Sequence, residues 1–208
     1  MSNRILLGAS LGLALSAAAA QAAPIIVQPQ ALSAIGNVTA IYVFADAGNT
    51  SILNELLPLG FPQIFCNHST GGCVGASAGD TMPLGFQNGV MQFSLHNTDT
   101  GSTFLSDTAD ADGNYHVRIS EDYADFNQGA LPGAAQSVID TLISGGMTVT
   151  YVGWEDLMAG QGSDFDYNDL IFAFANATTR QLPEPLTMSM MGFGLAGAVW
   201  AKRRKKKA

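Results

Sequence analysis

The chain predicts a mainly β, β-sandwich-like domain, and three features of its sequence carry that expectation. Five segments are rich in β-branched and aromatic residues, Gly, Asn and Asp fill the spaces between them, and only two stretches have a helical pattern. The strand-like segments are residues 38–44 (VTAIYVF), 90–95 (VMQFSL), 115–119 (YHVRI), 147–154 (MTVTYVGW) and 170–174 (LIFAF). Short strands at this spacing suggest two packed sheets. The helical stretches are residues 51–57 and 134–143. The second places Ala135, Val138, Ile139 and Leu142 on one face, with Gly145 positioned to end it. Residues 23–181, about 159 in number, carry no convincing repeat or long linker and suit one domain with a single core.

Each end of the chain reads as a targeting segment. Residues 1–22 combine Arg4, an apolar stretch over 5–20 and the small-x-small triplet Ala20-Gln21-Ala22, the pattern of a signal peptide cut by signal peptidase. Residues 182–208 hold three parts in order. Leu182-Pro183-Glu184-Pro185 should be exposed and non-helical, because proline fixes φ and pushes the residue before it toward extended geometry. Residues 186–201 carry no charge, and as a helix they would reach about 24 Å, slightly short of the ~30 Å hydrocarbon core unless the bilayer thins or flanking residues join in. Residues 202–207 are all Lys or Arg and favour a cytoplasmic C-terminus. Within the run, Gly192-Phe-Gly194-Leu-Ala-Gly197 matches a dinucleotide fingerprint, but no strand precedes it and no βαβ unit surrounds it. It reads as a small-residue face of a membrane helix.

Pro183-Glu184-Pro185, the Gly-rich apolar run and the basic terminus resemble the PEP-CTERM sorting signal of Gram-negative bacteria. The resemblance implies recognition by an exosortase, removal of the helix, and delivery from the inner membrane to the cell surface or an exopolysaccharide matrix. An ordinary single-pass anchor is the alternative.

The two ends inflate the hydrophobic fraction of 47% and the mean hydropathy of +0.18, and they hold most of the cations. Formal net charge is -8 over the whole chain. Between residues 23 and 181, Arg118 and Arg180 stand against sixteen Asp and Glu, and there is no lysine. Such a surface repels nucleic acid and anionic lipid. It also has too few cations to pair its own carboxylates, so divalent metal is the natural partner wherever acids cluster. Cys66 and Cys73 are the only cysteines, and in an oxidising compartment they are expected to form a disulfide around a six-residue loop. Metal ligation by Cys66, His68 and Cys73 is the alternative.

The acids do cluster. Glu155, Asp156, Asp164, Asp166 and Asp169, with the amide of Asn168, fall within fifteen residues and offer only oxygen. Hard Ca²⁺ takes six to eight oxygens at about 2.3–2.6 Å, and Asp164, Asp166 and Asn168 can aim at one point if the loop curls or extends. The string is not an EF-hand, because Asp169 stands where the loop needs its Gly and Ala175 where it needs its Glu. Tyr151-Val-Gly-Trp-Glu-Asp-Leu157 followed by Gly162-Ser-Asp-Phe-Asp-Tyr-Asn-Asp-Leu-Ile-Phe172 is similar to the closing signature of domain of unknown function 4114, a bacterial family of exported and adhesin-like proteins. That resemblance implies a β-rich domain with a calcium site at Glu155, Asp156, Asp164, Asp166 and Asp169, and no established catalysis.

A second acidic patch, Asp107, Asp110, Asp112 and Asn114, is a candidate second metal site. Turn chemistry alone accounts for it, because Asp and Asn bond their own backbone and Gly113 takes positive φ; a hairpin turn before residue 115 is the preferred reading. Three functions follow. The preferred one is a non-catalytic Ca²⁺-binding surface or matrix protein, with an exopolysaccharide or a surface protein as partner. The second is a Ca²⁺-dependent carbohydrate-binding module using Trp154, Tyr167 and Tyr123. The third, a glycan hydrolase, is disfavoured because carboxylates engaged by Ca²⁺ stay ionised and cannot donate a proton.

Overall fold

The computed structural model describes residues 30–181 except Asp112 and Asn127. The signal segment, the sorting tail and Asp112 lie outside the described residues. The fold is mainly β and antiparallel. Its strands are β1 (Gln30–Ala45), β2 (Ser51–Leu57), β3 (Phe65–Cys66), β4 (Thr81–Asn97), β5 (Thr103–Leu105), β6 (Val117–Ser120), β7 (Val149–Trp154) and β8 (Leu170–Gln181). Among the described residues one α-helix, α1 (Gly133–Ser144), precedes β7. Along the sheet the order is β3-β2-β4-β1-β8-β7-β6, with β5 also on β4. All five strand-like segments of the sequence lie wholly or largely in strands.

Strand β4 makes this path fold back on itself. Its residues up to Met91 pair with β1, whereas Gln92 to Asn97 pair with β2, and β5 joins along Ser94 to His96. Flat, β3 and β8 would stand about 19 Å apart, four strand spacings. Instead the ring of Phe65 in β3 stacks on Phe172 in β8 with centroids 5.9 Å apart, and Phe93 of β4 meets Phe174 at 4.7 Å. Gly89, at φ 109°, lies two residues before this change of partner, and Gly85, at φ 71°, sits at the register shift opposite Val38 and Thr39.

Alternation along β8 explains the layers. Leu170, Phe172 and Phe174 point into a cluster with Leu53, Phe65, Phe93 and Trp154, between the two halves of the folded sheet. Ile171, Ala173 and Ala175 point the other way, into a cluster with Tyr123, Phe126, Ala135 and Ile139 under α1. The single core expected from the sequence is therefore two buried clusters sharing one sheet. Small Ala173 and Ala175 leave room for the helix, which ends in a Schellman arrangement: Met147 N–H donates to Leu142 O and Gly146 N–H to Ile143 O. Gly146 takes the left-handed position at φ 84°, one residue beyond the glycine the sequence singled out.

The helix expected over residues 51–57 is strand β2. Its side chains alternate, with Ser51, Leu53 and Glu55 buried and Ile52 and Asn54 half-buried. Pairing on both sides, with β3 and β4, overrides the local helix propensity of a Leu- and Glu-rich segment. Among the described residues no helix is long and apolar enough to cross a membrane.

Burial of Glu55 has a cost. It is 2% exposed, and neither carboxylate oxygen has a hydrogen-bond partner. Burial pushes its pKa from 4.5 up to about 7, and the dipoles of the Gln87 side chain and the Phe61 backbone offset this only in part. A raised folded-state pKa means that the native protein holds the proton more tightly than the unfolded chain. The stabilising contribution is thus complete below about pH 4.5 and disappears as pH rises through about 7. Chemical denaturation of Glu55→Gln across this range should show a flatter stability profile than wild type and greater stability near neutrality. An unchanged profile would contradict the assignment.

Candidate metal centre

Strands β7 and β8 close the loop that carries the acidic string, because Trp154 pairs with Leu170 at the end of their ladder. Glu155 and Asp169 are therefore neighbours across the loop's base. Glu155 is 0% exposed: its Oε1 accepts the Tyr167 N–H at 2.5 Å and its Oε2 accepts the Ser163 hydroxyl at 2.5 Å. Phe165 and Tyr167 adopt left-handed backbone at φ 56° and 64°, uncommon for bulky side chains. These alternate reversals curl the chain around the Glu155 carboxylate. One oxygen each from Glu155, Asp164 and Asp166 then lies within 4.8 Å of the others. Two oxygens on opposite sides of a Ca²⁺ ion stand about 4.8 Å apart, so the spacing fits a shared hard cation.

Not all predicted ligands converge there. Asn168 supports the triad from behind, donating its N–H to Asp166 Oδ1 at 3.1 Å and its side-chain amide to Asp166 Oδ2. Asp156 and Asp169 form a second group that ties the loop to distant strands. The Asp156 N–H donates to Asp169 Oδ2 at 2.9 Å, and Ser51 Oγ donates to Asp156 Oδ2 at 3.1 Å. Asn97 Nδ2 donates to the Asp156 carbonyl at 2.8 Å, and Asp46 N–H to the Asp169 carbonyl at 2.9 Å. Ser51 and Asn97 had no signal in the sequence, since they stand 105 and 59 residues from their partner. Ser163 stands inside the acidic string, next to Asp164, and its hydroxyl reaches back to Glu155.

On balance the surroundings disfavour charge on Glu155, Asp156, Asp166 and Asp169, with hydrogen bonds offsetting burial only in part. Burial raises the pKa of Glu155, and the Asp164 and Asp166 carboxylates push it further. Asp166 is raised by burial and by Asp164, and Asp156 by burial and by Asp99. Asp169 is pushed up to about 7 by burial, with Glu155, Asp156 and Asp166 adding to it. Among the described residues no ion pair joins a cationic side chain to the triad, and Arg118 faces Asp125 at 3.8 Å. A divalent ion would supply the missing positive charge.

The second acidic patch is a turn. Asp110 Oδ1 accepts the Asn114 N–H at 2.9 Å, the Gly113 N–H donates to Asp110 O at 3.1 Å, and Gly113 takes φ 82°. Asp110 Oδ2 pairs with buried His116 Nε2 at 2.7 Å, while Asp107 accepts from Gln92 Nε2 at 2.7 Å, so the two carboxylates serve different neighbours. The turn is not a hairpin, because β5 pairs with β4 and β6 with β7. Cys66 and Cys73 are joined in a disulfide, which removes the Cys66, His68 and Cys73 metal reading. Trp154, Tyr123 and Tyr167, the candidate sugar-stacking residues, are 0%, 9% and 7% exposed. They serve the two cores.

No protein-family model matches this chain, nor does any curated protein or solved structure.

Two substitutions probe the local design. A Cβ on Gly153 would stand 2.2 Å from the Tyr167 carbonyl oxygen and 2.5 Å from the Phe126 ring. Gly153→Ala should therefore lower stability by about 1–3 kcal/mol in thermal melts and displace the backbone that holds Glu155. Asp110→Ala should leave His116 buried without its partner, costing about 1–3 kcal/mol, while metal stoichiometry by titration stays unchanged.

Proposed function

We propose that this is an exported, non-catalytic Ca²⁺-binding protein of the cell surface or exopolysaccharide matrix, sorted by an exosortase through residues 182–208. The observation that carries the metal reading is the convergence of Glu155, Asp164 and Asp166 oxygens within 4.8 Å, with no ion pair to any of them among the described residues. An oxygen-only donor set suits a hard ion, and Ca²⁺ tolerates the irregular geometry of a curled loop better than Mg²⁺ does. The folded sheet, read as a sandwich, carries this loop on its rim, so the ion would rigidify one end of the domain. The export reading is supported by the disulfide, by the apolar stretch over residues 5–20 and by the proline-rich, apolar and basic order of the tail. Before processing, residues 186–201 would hold the chain in the inner membrane.

Catalysis is disfavoured by the same geometry. Glu155 is the most buried acid of the triad, and both its oxygens already accept hydrogen bonds, so it offers no proton to a substrate. The carbohydrate-binding alternative loses Trp154, Tyr123 and Tyr167 as stacking residues to the core, which weakens it.

Titration of Ca²⁺ into metal-stripped residues 23–181 tests the proposal. Binding should raise the melting temperature, by an amount equivalent to about 2.7 kcal/mol at a hundredfold excess over the dissociation constant. The effect should vanish in Asp164→Ala/Asp166→Ala. Absence of binding at millimolar Ca²⁺ would leave the string as a self-bonded turn and overturn the metal reading.

A further inference from the structure

The Cys66–Cys73 loop is distant from the acidic string in sequence, yet its first residue is bonded to the segment that braces that string. Asn67 directly follows the disulfide-bonded Cys66 and is 8% exposed. Its side chain commits both ends to the connection between β1 and β2. Oδ1 accepts the Ser51 N–H at 2.8 Å, and Nδ2 donates to the Asn49 carbonyl at 2.7 Å. The Asn67 N–H also donates to Ser51 O at 3.3 Å, so both backbone groups of fully buried Ser51 are bonded to Asn67. The loop behind Asn67 is a closed unit. Thr70 and Cys73 exchange backbone hydrogen bonds at 2.9 and 2.6 Å, Ser69 Oγ accepts the Gly75 N–H at 2.9 Å, and the Ala76 N–H donates to Cys66 O at 2.7 Å.

The segment that Asn67 grips, residues 46–51, reaches the acidic string from both of its ends. The Asp46 N–H donates to Asp169 O, and Ser51 Oγ donates to Asp156 Oδ2. Asp156 directly follows Glu155, Asp169 directly precedes β8, and the Asp156 N–H joins the two by donating to Asp169 Oδ2. We propose that Asn67 is a positioning residue of the metal centre, acting through Ser51 on Asp156 and so on the chain that carries Glu155. The inference rests on the reading of Glu155, Asp164 and Asp166 as a Ca²⁺ site. Groups that hold ligands from behind tune a metal site because they fix its geometry in advance of the ion. Without the Asn67 amide the Ser51 segment is freer, and the ion has to order the base of the loop at the expense of affinity. A purely structural bond would lower stability and leave affinity alone.

Calorimetric titration of Ca²⁺ into the metal-stripped full chain in nonionic detergent, with the metal-free melting temperature measured beside it, separates these outcomes. Asn67→Ala and Ser51→Ala should each raise the dissociation constant about tenfold, with stoichiometry unchanged. Because Asn67 acts through Ser51, the double variant should also be weakened about tenfold, not the roughly hundredfold of independent effects. Thr150→Ala removes a buried bond of the same kind, from Oγ1 to Ala177 O at 2.7 Å, near the start of β7, whose other end leads to Glu155. It should lower the melting temperature and keep the wild-type dissociation constant. Asn67→Ser, whose single hydroxyl cannot replace both arms of the amide, takes the place of Asn67→Ala if that variant does not fold. Asn67 variants within about twofold of wild type, an additive double variant, or an equal loss in Thr150→Ala would each overturn the positioning role and leave the metal reading standing. Failure of wild type to bind Ca²⁺ would remove both.

Discussion

Residues 170–175 of β8 are buried without a break, and a strand that is apolar on both faces has to be covered on both. The rest of the architecture follows from that requirement. On one face the sheet's own far half folds over at β4 and lays Phe65 and Phe93 against Phe172 and Phe174. On the other, α1 and the turn at Tyr123–Phe126 cover Ile171, Ala173 and Ala175. Central β1 obeys the same rule, with Ala40 and Tyr42 in one cluster and Ile41 and Val43 in the other. Because β8 is anchored so firmly, the loop that enters it starts from a rigid base.

That base lets the protein hold carboxylates where they would otherwise scatter. Glu155 leaves the end of β7 with its backbone N–H bonded to His116 O, and its carboxylate is held by Ser163 and by the Tyr167 amide. Asp164 and Asp166 are the more exposed members of the triad. A site built on one fixed buried carboxylate would lose little ordering entropy there on taking up an ion, and the repulsion among its acids would favour the loaded state. The neighbouring Asp156 and Asp169 spend their oxygens on structure, joining the loop to β1, β2 and β4. Any change in the loop is thereby felt by both halves of the folded sheet.

The local chemistry of the chain was legible where neighbours in sequence are neighbours in space. Helix α1 appears within a residue at each end because its apolar spacing and its terminal glycines act over single turns. The disulfide and the Asp110 turn belong to the same category. Residues 51–57 misled, because Leu and Glu favour a helix in isolation and only pairing with β3 and β4 makes them a strand. The number of cores was also hidden: alternation along an all-apolar strand cannot say what lies above and below it. In the acidic string, composition pointed to oxygen ligation, but six candidate side chains have identical claims until the fold sorts them.

By itself the sequence determined the β-rich class, the disulfide, the helix and the place of the oxygen donors, all consequences of residue type and short spacing. Only the tertiary structure decided which acids meet. It turned Phe165 and Tyr167 left-handed, buried Glu155 under two donors, and drew Asp156 toward Ser51 and Asn97 across 105 and 59 residues of chain. Such choices depend on long-range pairing, whose energy comes from burying strands contributed by distant parts of the chain, and no local pattern encodes which of those strands will become neighbours.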